Sequence, residues 1–357
     1  MIDKSHTPLF VMERDRLETN LTKLAYLQEQ TGVKILHTLK SFHEREGLEI
    51  IGEYLSGFST GNQSELERVS QIDTQHIHSY APAFHSSEIK LIAQKSTTMS
   101  FNSLYLWEHY AATASAYCSM GLRINPKLTI KQPKYCNPNY TMRLGVPYQA
   151  FLQTREQNPA LFKDLKGLHF HVFCGQGLSG LKYLLNHISQ NYQDILPNLR
   201  WLNLGGGQQY TDEQYDHEGF IRLINRFKSD YPNLTLIFEP GESVIKNTGY
   251  FITTILDIIP AERPIVILDT SIEAHLLDIA ITGQRPRVRG AVDHKTPYHY
   301  QLSGVSCIAG DIIGDWYFQR ALQVGESIIF EDMMGYTLVK QTEFNGIAKA
   351  KFSLTDL

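Results

Sequence analysis

Four stretches of the chain place a reactive group where an apolar, strand-like run breaks off. In KILHTLKSF the run from Ile35 to Leu39 delivers Lys40, and GLHFHV carries His171 near its end. WLNLGGG closes on Gly205, Gly206 and Gly207, and LTLIFEPGE breaks at Glu239. Taken singly, each has an ordinary reading. A lysine past a buried strand snorkels to water, a glycine triplet is a turn, and a lone histidine or glutamate satisfies its own surroundings. Together they could hold one cofactor. A lysine amine can form a Schiff base with an aldehyde, and bare backbone N–H groups at a glycine turn can approach a phosphate closely. A carboxylate can keep a pyridine nitrogen protonated, so that the ring draws electrons, while an imidazole stacks on the ring face. This is the chemistry of pyridoxal 5'-phosphate, PLP.

Such a set works only if one fold brings the four breaks together. Short apolar strands (KILHTL, GFST, HIHSY, TMSFN, GLRIN, GLHFHV, WLNLGGG, LTLIFEPGE) alternate with helix-like segments such as GNQSELERVSQ and EGFIRLINRFKSDYP. Apolar residues recur in those segments at three- and four-residue steps. Eight β-then-α units between residues 34 and 246 predict an α/β fold, a (β/α)8 barrel, whose chemistry sits at the C-terminal ends of the strands. A doubly wound open sheet is the rival, because periodicity does not reveal strand order. From about Tyr250 the texture becomes strand and turn, in YFITTILDII, PIVILDTS, YHYQLSGVSCIAGD, ESIIFEDM and GYTLVKQTEFNGI. That predicts a second, β-rich domain of sandwich or barrel type, with a strand from TPLFVMERD added to it. The expected division is 12–246 for the PLP-binding barrel, and 1–11 with 247–357 for the β-rich domain.

The totals fit this picture. In 357 residues, 42% are hydrophobic and 20% charged, and the formal net charge is −4, which gives no electrostatic case for nucleic acid or an anionic membrane. Cys118, Cys136, Cys174 and Cys307 are scattered, with no CxxC pair, so neither a disulfide framework nor a metal site is indicated. No signal-peptide core opens the chain and no stretch is long and apolar enough to span a bilayer, so the expected location is cytoplasmic.

Beyond single motifs, an ordered set runs from residue 7 to residue 346. It comprises TPLFVMERDRLETNL, TGVKILHTLKSF, RLGV, GLHFHVFC, WLNLGGGQQYT, FEPGESV, LDTS, SCIAGDIIGD and DMMGYTLVKQTEFNG. In this the chain resembles the fold type III PLP-dependent decarboxylases, the group of ornithine, arginine and diaminopimelate decarboxylases. Within it, the chain is most similar to the carboxynorspermidine and carboxyspermidine decarboxylases. The resemblance implies a homodimer in which each β-rich domain completes its partner's site. It implies that Lys40 is the Schiff-base lysine, His171 stacks on the ring, Gly205 to Gly207 hold the phosphate and Glu239 faces the pyridine nitrogen. It alone singles out Cys307, as the thiol a partner subunit supplies near the reacting carbon, and Tyr336, as a tyrosine reaching the cofactor.

The implied reaction is loss of CO2 from a small carboxylated polyamine. Where relatives acting on ornithine or diaminopimelate carry EPGR, this chain has EPGE, ending in Glu242. A carboxylate beside a phosphate is repelled, so Glu242 is expected to turn toward the substrate and pair with one of its amines. In LDTSIEAHLLDI, which also holds Asp269 and Glu273, the resemblance points to His275 and Asp278 as substrate contacts. Asp311 and Asp315 in AGDIIGD are further candidates to line the pocket. Gly175 stands where an acidic residue is expected in carboxynorspermidine enzymes. Arg285, Arg287 and Arg289 read as surface. Ornithine, diaminopimelate and carboxyaminopropylagmatine stay open as substrates, and a racemase or a non-catalytic PLP-binding regulator are the remaining alternatives.

Overall fold

Seventeen strands are found in a computed structural model that describes residues 7–128 and 143–356; Cys136 lies outside the described residues. The chain divides into two units, one of Asn20–Val244 and one joining the N-terminal stretch up to Thr19 with Ile245–Leu357. The expected limits of 12 and 246 are slightly wider than the first unit.

Strand β1 (Leu9–Glu13) belongs to the second unit. The first unit holds β2 (Lys34–Thr38), β3 (Gly57–Thr60), β4 (His76–Tyr80), β5 (Thr98–Phe101), β6 (Ser119–Asn125), the two-residue β7 (Val146–Pro147), β8 (Gly167–His169), β9 (Trp201–Asn203) and β10 (Thr235–Phe238). All pair in parallel in the order β5-β4-β3-β2-β10-β9-β8-β6-β7, and β5 also pairs with β6. That last pairing closes a ring of eight strands, which excludes the open sheet and confirms the barrel. Helices follow the strands, several started by capping side chains. Asn62, Ser103 and Asp216 each accept a backbone N–H three residues on, which satisfies one of the otherwise orphan donors of a first helical turn.

Alternate residues of each strand fill the barrel. Its middle is occupied by the indole of Trp201, which packs with Leu36 and Ile237. Gly121 and Gly167 exist to admit it: a Cβ at Gly167 would lie 2.0 Å from the indole, and one at Gly121 would lie 2.4 Å away. Two residues farther along the same strands the filling turns polar, with Arg123, His169 and Asn203, all buried. The site is built on that layer.

The second unit continues with β11 (Gly249–Ile259), β12 (Ile265–Leu268), β13 (Ala291–Val292), β14 (Tyr298–Ser303), β15 (Ile312–Phe318), β16 (Ser327–Glu331) and β17 (Lys351–Thr355). They form one mixed sheet in the order β13-β15-β14-β12-β11-β1-β17, with β16 also on β11. The long β11 serves two sets of partners. Its first half pairs with β1 and β16, and after an irregularity between Ile255 and Asp257 its second half completes the pairing with β12. A bulge of this kind lets one sheet curl. The N-terminal strand joins this sheet as expected. GYTLVKQTEFNGI, however, is not a strand. It forms the short helix Tyr336–Val339 and a 3-10 turn at Phe344–Gly346, because its N–H groups bond back within the segment, Leu338 to Gly335 and Lys340 to Tyr336, rather than to a sheet edge. Among the described residues no helix is long and apolar enough to cross a membrane.

Three buried histidines make the barrel acid-sensitive. Burial holds His37 down to about 4, and His76 and His78 down to about 3. An unfolded chain protonates all three near 6.5. Below that pH the unfolded state takes up protons that the folded state refuses, so each histidine removes ~1 kcal/mol of stability per pH unit until its folded pKa is reached. Glu239, raised by burial, works in the opposite sense, but His169 and His171, also held down by burial, add to the three. The urea midpoint is therefore expected to drop steeply between pH 6.5 and 4; a midpoint that stays level from pH 7 to 5 would contradict this account.

Candidate active site

Lys40 follows β2 by two residues, in a turn closed by the Ser41 N–H and hydroxyl on the Thr38 carbonyl. The turn is tied to the end of β10, since the Thr38 N–H donates to the Pro240 carbonyl at 3.3 Å. A Cβ on Gly241 would come within 2.7 Å of Ser41 Oγ, so glycine is needed for this approach. The Lys40 side chain opens to solvent at the barrel mouth, yet its other surroundings are protein. Desolvation, then the charge of Arg123, lowers its pKa from the usual lysine value, and Glu239 and Glu65 only partly oppose them.

Glu239, the first residue past β10, is buried. Its Oε1 accepts Asn203 Nδ2–H at 2.8 Å, and its Oε2 lies 3.7 Å from His169 Nε2. Desolvation raises its pKa, and hydrogen bonds from Asn203 and Ser59 and the charges of Lys40 and Arg123 pull it back. A carboxylate so placed is costly alone and awaits a cation or proton donor.

His171 lies two residues past β8. Its Nδ1 accepts the Gly206 N–H at 3.2 Å, which leaves the hydrogen of the neutral ring on Nε2. Burial, Lys40 and Arg123 hold it well below the ordinary histidine value, hence neutral. Gly205 and Gly207 have φ of +67° and +89°. A Cβ at Gly205 would meet His171 Nδ1 at 2.7 Å, one at Gly206 the Glu239 carbonyl at 2.2 Å and one at Gly207 the Phe173 carbonyl at 2.2 Å. The triplet is thus pinned between the ends of β8 and β10. Gly206→Ala must push the turn off Glu239, at a cost of about 1–3 kcal/mol in stability. It should weaken PLP binding at least tenfold (~1.4 kcal/mol) in a titration of the apoprotein; wild-type affinity would show that the turn plays no part in holding it. Three residues past His171, Cys174 is disulfide-bonded, which the scattered cysteines had not indicated, while Cys118 and Cys307 are free.

Several residues that sequence reasoning missed complete this rim. Arg123 is buried, donates to the His171 carbonyl at 3.4 Å and lies 4.6 Å over the Tyr80 ring. The Tyr80 hydroxyl donates to Asn102 Oδ1 at 2.7 Å. His169 packs edge-on against His78 and Tyr80, and neither of its ring nitrogens has a hydrogen-bond partner among the described residues. Arg123, His169 and Asn203 each stand two residues after Gly121, Gly167 and Trp201, an alternation that becomes a signal only once the strand register is known.

His169, His171 and Glu239 bring their ligand atoms within 4.8 Å of one another. As a metal set this is poor. His171 Nδ1 is occupied by an N–H, its other nitrogen carries hydrogen, and the cations Lys40 and Arg123 act on the same groups. The set suits PLP better: an amine, an anionic oxygen inside the barrel, and a turn too tight for any side chain.

The remaining candidates fare differently. Glu242, exposed, opens the short helix Glu242–Ile245. In the second unit, Tyr336 is half-buried under Lys340, whose ammonium lies 5.1 Å from its ring. Cys307 is exposed in the loop between β14 and β15, and its N–H donates to Asn345 Oδ1 at 2.9 Å. Asp278 is ion-paired with Lys340. Two of the candidates are buried, with polar atoms engaged by neighbours. His275 is fully buried, with Nδ1 on the Thr270 hydroxyl and Nε2 on the Ala348 carbonyl, both at 2.9 Å, so it has no nitrogen left for a substrate. Asp311 is buried too: its oxygens accept the N–H groups of Ile272 at 2.8 Å and Ser306 at 3.0 Å, clamping its own loop. Asp315 pairs with Arg263 at 3.0 Å, and Asp269 accepts the Thr254 N–H. Arg285, Arg287 and Arg289 bond to Asp315, Asn247 and Glu331 on the exposed side.

Comparison with known proteins bears directly on this rim. The family model described as "Pyridoxal-dependent decarboxylase, pyridoxal binding domain" matches residues 17–246. The chain is 33% identical, over 99% of its length and 94% of the relative's, to a carboxynorspermidine/carboxyspermidine decarboxylase of Campylobacter jejuni. It is 34% identical, over 96% of its length and 88% of the relative's, to a carboxyaminopropylagmatine decarboxylase of Synechocystis. Among solved structures, carboxynorspermidine decarboxylase from Campylobacter jejuni complexed with norspermidine superposes with a TM-score of 0.89 at 32% identity, covering 98% of this chain and 94% of the other. Diaminopimelate decarboxylase from Helicobacter pylori shares the fold, with a TM-score of 0.84 at 18% identity, covering 99% and 92%.

Proposed function

This chain belongs to the pyridoxal-dependent decarboxylases, and on that premise we propose that it removes CO2 from a carboxylated polyamine of the carboxynorspermidine or carboxyspermidine type. The observation that carries the substrate class is end-to-end similarity to relatives named for that reaction, in sequence and in fold. A second reading, action on carboxyaminopropylagmatine, is favoured by the comparable identity to the Synechocystis enzyme.

When bound, PLP supplies an electron-poor ring that accepts the electron pair left as CO2 departs. The chain's residues do the rest. Lys40 would provide the amine that condenses with the cofactor's aldehyde, with loss of water, and its depressed pKa raises the unprotonated, nucleophilic fraction at neutral pH. Gly205 to Gly207 would hold the phosphate, His171, its ring fixed by the Gly206 N–H, would stack on the cofactor ring, and Glu239 would hold a proton on the pyridine nitrogen. Tyr336 would be a further cofactor contact, and Glu242 would pair with a substrate amine. Lys40 Nζ or Cys307 Sγ would return a proton to the carbon that lost CO2.

Cys307 would come from the other copy in a homodimer. Its surroundings support that: Val305, Ile308, Ile312 and Phe344 are 40–46% exposed near it, an apolar surface of the kind that marks an interface. Light scattering of the purified protein reads the assembly directly.

The reaction is tested by supplying purified protein and PLP with carboxynorspermidine, carboxyspermidine, carboxyaminopropylagmatine, ornithine, lysine and diaminopimelate, and measuring CO2. The first two are expected to give the highest kcat/KM. A maximum on the agmatine derivative selects the second reading; one on ornithine, lysine or diaminopimelate rejects the polyamine class.

A further inference from the structure

We propose that Asn203 is a positioning residue that couples the glycine turn to the carboxylate of Glu239, and that an amide is required there because it accepts from the turn and donates to the acid at once. This rests on the reading of the rim as a PLP site. Asn203 ends β9 and is wholly buried. Its Oδ1 accepts the N–H of Gly205 at 2.8 Å, and its Nδ2 donates to Glu239 Oε1 at 2.8 Å. The circuit closes through the backbone, where the Glu239 N–H donates to the Gly205 carbonyl at 2.8 Å. One side chain therefore fixes both the first glycine of the turn and the carboxylate across from it.

The amide's orientation is dictated by its neighbours, since a backbone N–H only donates and a carboxylate only accepts. A leucine of similar shape would satisfy neither. An aspartate could still accept from Gly205, but it would set a second acid against Glu239, and two carboxyl groups at that distance share a proton. The amide donor, by contrast, favours the ionised form of Glu239 against the desolvation that opposes it. Asn203 touches neither the amine of Lys40 nor the ring of His171 by any described hydrogen bond, so its influence runs through the turn and through Glu239.

The test is titration of apoprotein with PLP, followed by visible absorbance between pH 6 and 9. For N203D the dissociation constant should rise at least tenfold at pH 8. Measured against E239Q alone, that loss should largely vanish in N203D/E239Q, where the new amide donates to the new acid and the proton is no longer contested. For N203A, which adds no charge, the constant should rise at least tenfold whether Glu239 is kept or the E239Q change is also present, because the anchor on Gly205 is lost. Thermal melts confirm that each variant is folded, and N203A carries the test if N203D is not. Wild-type affinity in N203A, or an N203D deficit that persists unchanged with E239Q, overturns the coupling. Wild-type protein that takes up no PLP overturns the parent reading of the rim, and the coupling with it.

Discussion

Lys40→Ala should leave a protein that folds, carries no covalently held cofactor and releases CO2 at least ~10^3-fold more slowly, a loss of about 4 kcal/mol of barrier lowering. The size follows from what is removed. No other amine lies in the described rim: the remaining cation there is Arg123, a guanidinium that stays protonated and cannot act as a nucleophile. Lys40→Arg makes the argument sharper, because it keeps a positive charge opposite Glu239 but supplies no free electron pair. If Lys40 acted only through its charge, the arginine variant would work; as the bonding amine, it must fail like alanine. Stability should not fall in Lys40→Ala, since a desolvated ammonium with a lowered pKa is a cost to the folded state. Gel filtration followed by visible absorbance reads the bound cofactor, and a CO2 assay reads turnover. Ordinary turnover in either variant would exclude the role given to Lys40.

That Lys40 was visible in sequence, while Arg123 was not, has a physical reason. Strands of a closed parallel barrel are buried on both sides, so they read as short apolar runs, and a reactive residue at the C-terminal end appears as a break in the run. Lys40, His171, the glycine triplet and Glu239 all stand at such breaks, and the structure brings them to one rim. Arg123, His169 and Asn203 stand inside strands, where a polar residue facing the barrel interior looks like one facing solvent. The role of Trp201 as the plug needs Gly121 and Gly167 from two other strands, a coincidence visible only once register is known. The engagement of His275 and Asp311 is hidden from the sequence for another reason. Residue type shows that a side chain can bind a ligand, but not that Thr270 and Ala348, or Ile272 and Ser306, have already taken its atoms. The misread GYTLVKQTEFNGI has the residues of a strand, and a strand also requires an open edge beside it, which no local pattern reports.

Glu239→Gln should lower kcat by about 10^2-fold or more, roughly 3 kcal/mol, while leaving the apoprotein as stable as the wild type or more so at neutral pH. The two effects have one origin. Burial lifts the Glu239 pKa above that of a free carboxyl group, so the folded apoprotein binds a proton there more tightly than the unfolded chain does. Stability from this group is full below the unfolded value near 4.5 and is lost as pH rises through the folded pKa. Once ionised, the buried carboxylate is therefore a burden, and glutamine, of the same shape and still able to accept from Asn203 Nδ2, relieves it. With PLP bound the balance reverses. A carboxylate opposite a protonated pyridine nitrogen gains a charged partner, whereas glutamine gains only a neutral one, so cofactor should raise the melting temperature of wild type more than that of the variant. Urea titrations of both apoproteins at pH 5 and 8 separate the terms: the difference in midpoint should favour the glutamine variant more above the folded Glu239 pKa than below it. A variant destabilised at both, or one with wild-type kcat, would mean that Glu239 serves the packing of the barrel rather than the chemistry at its mouth.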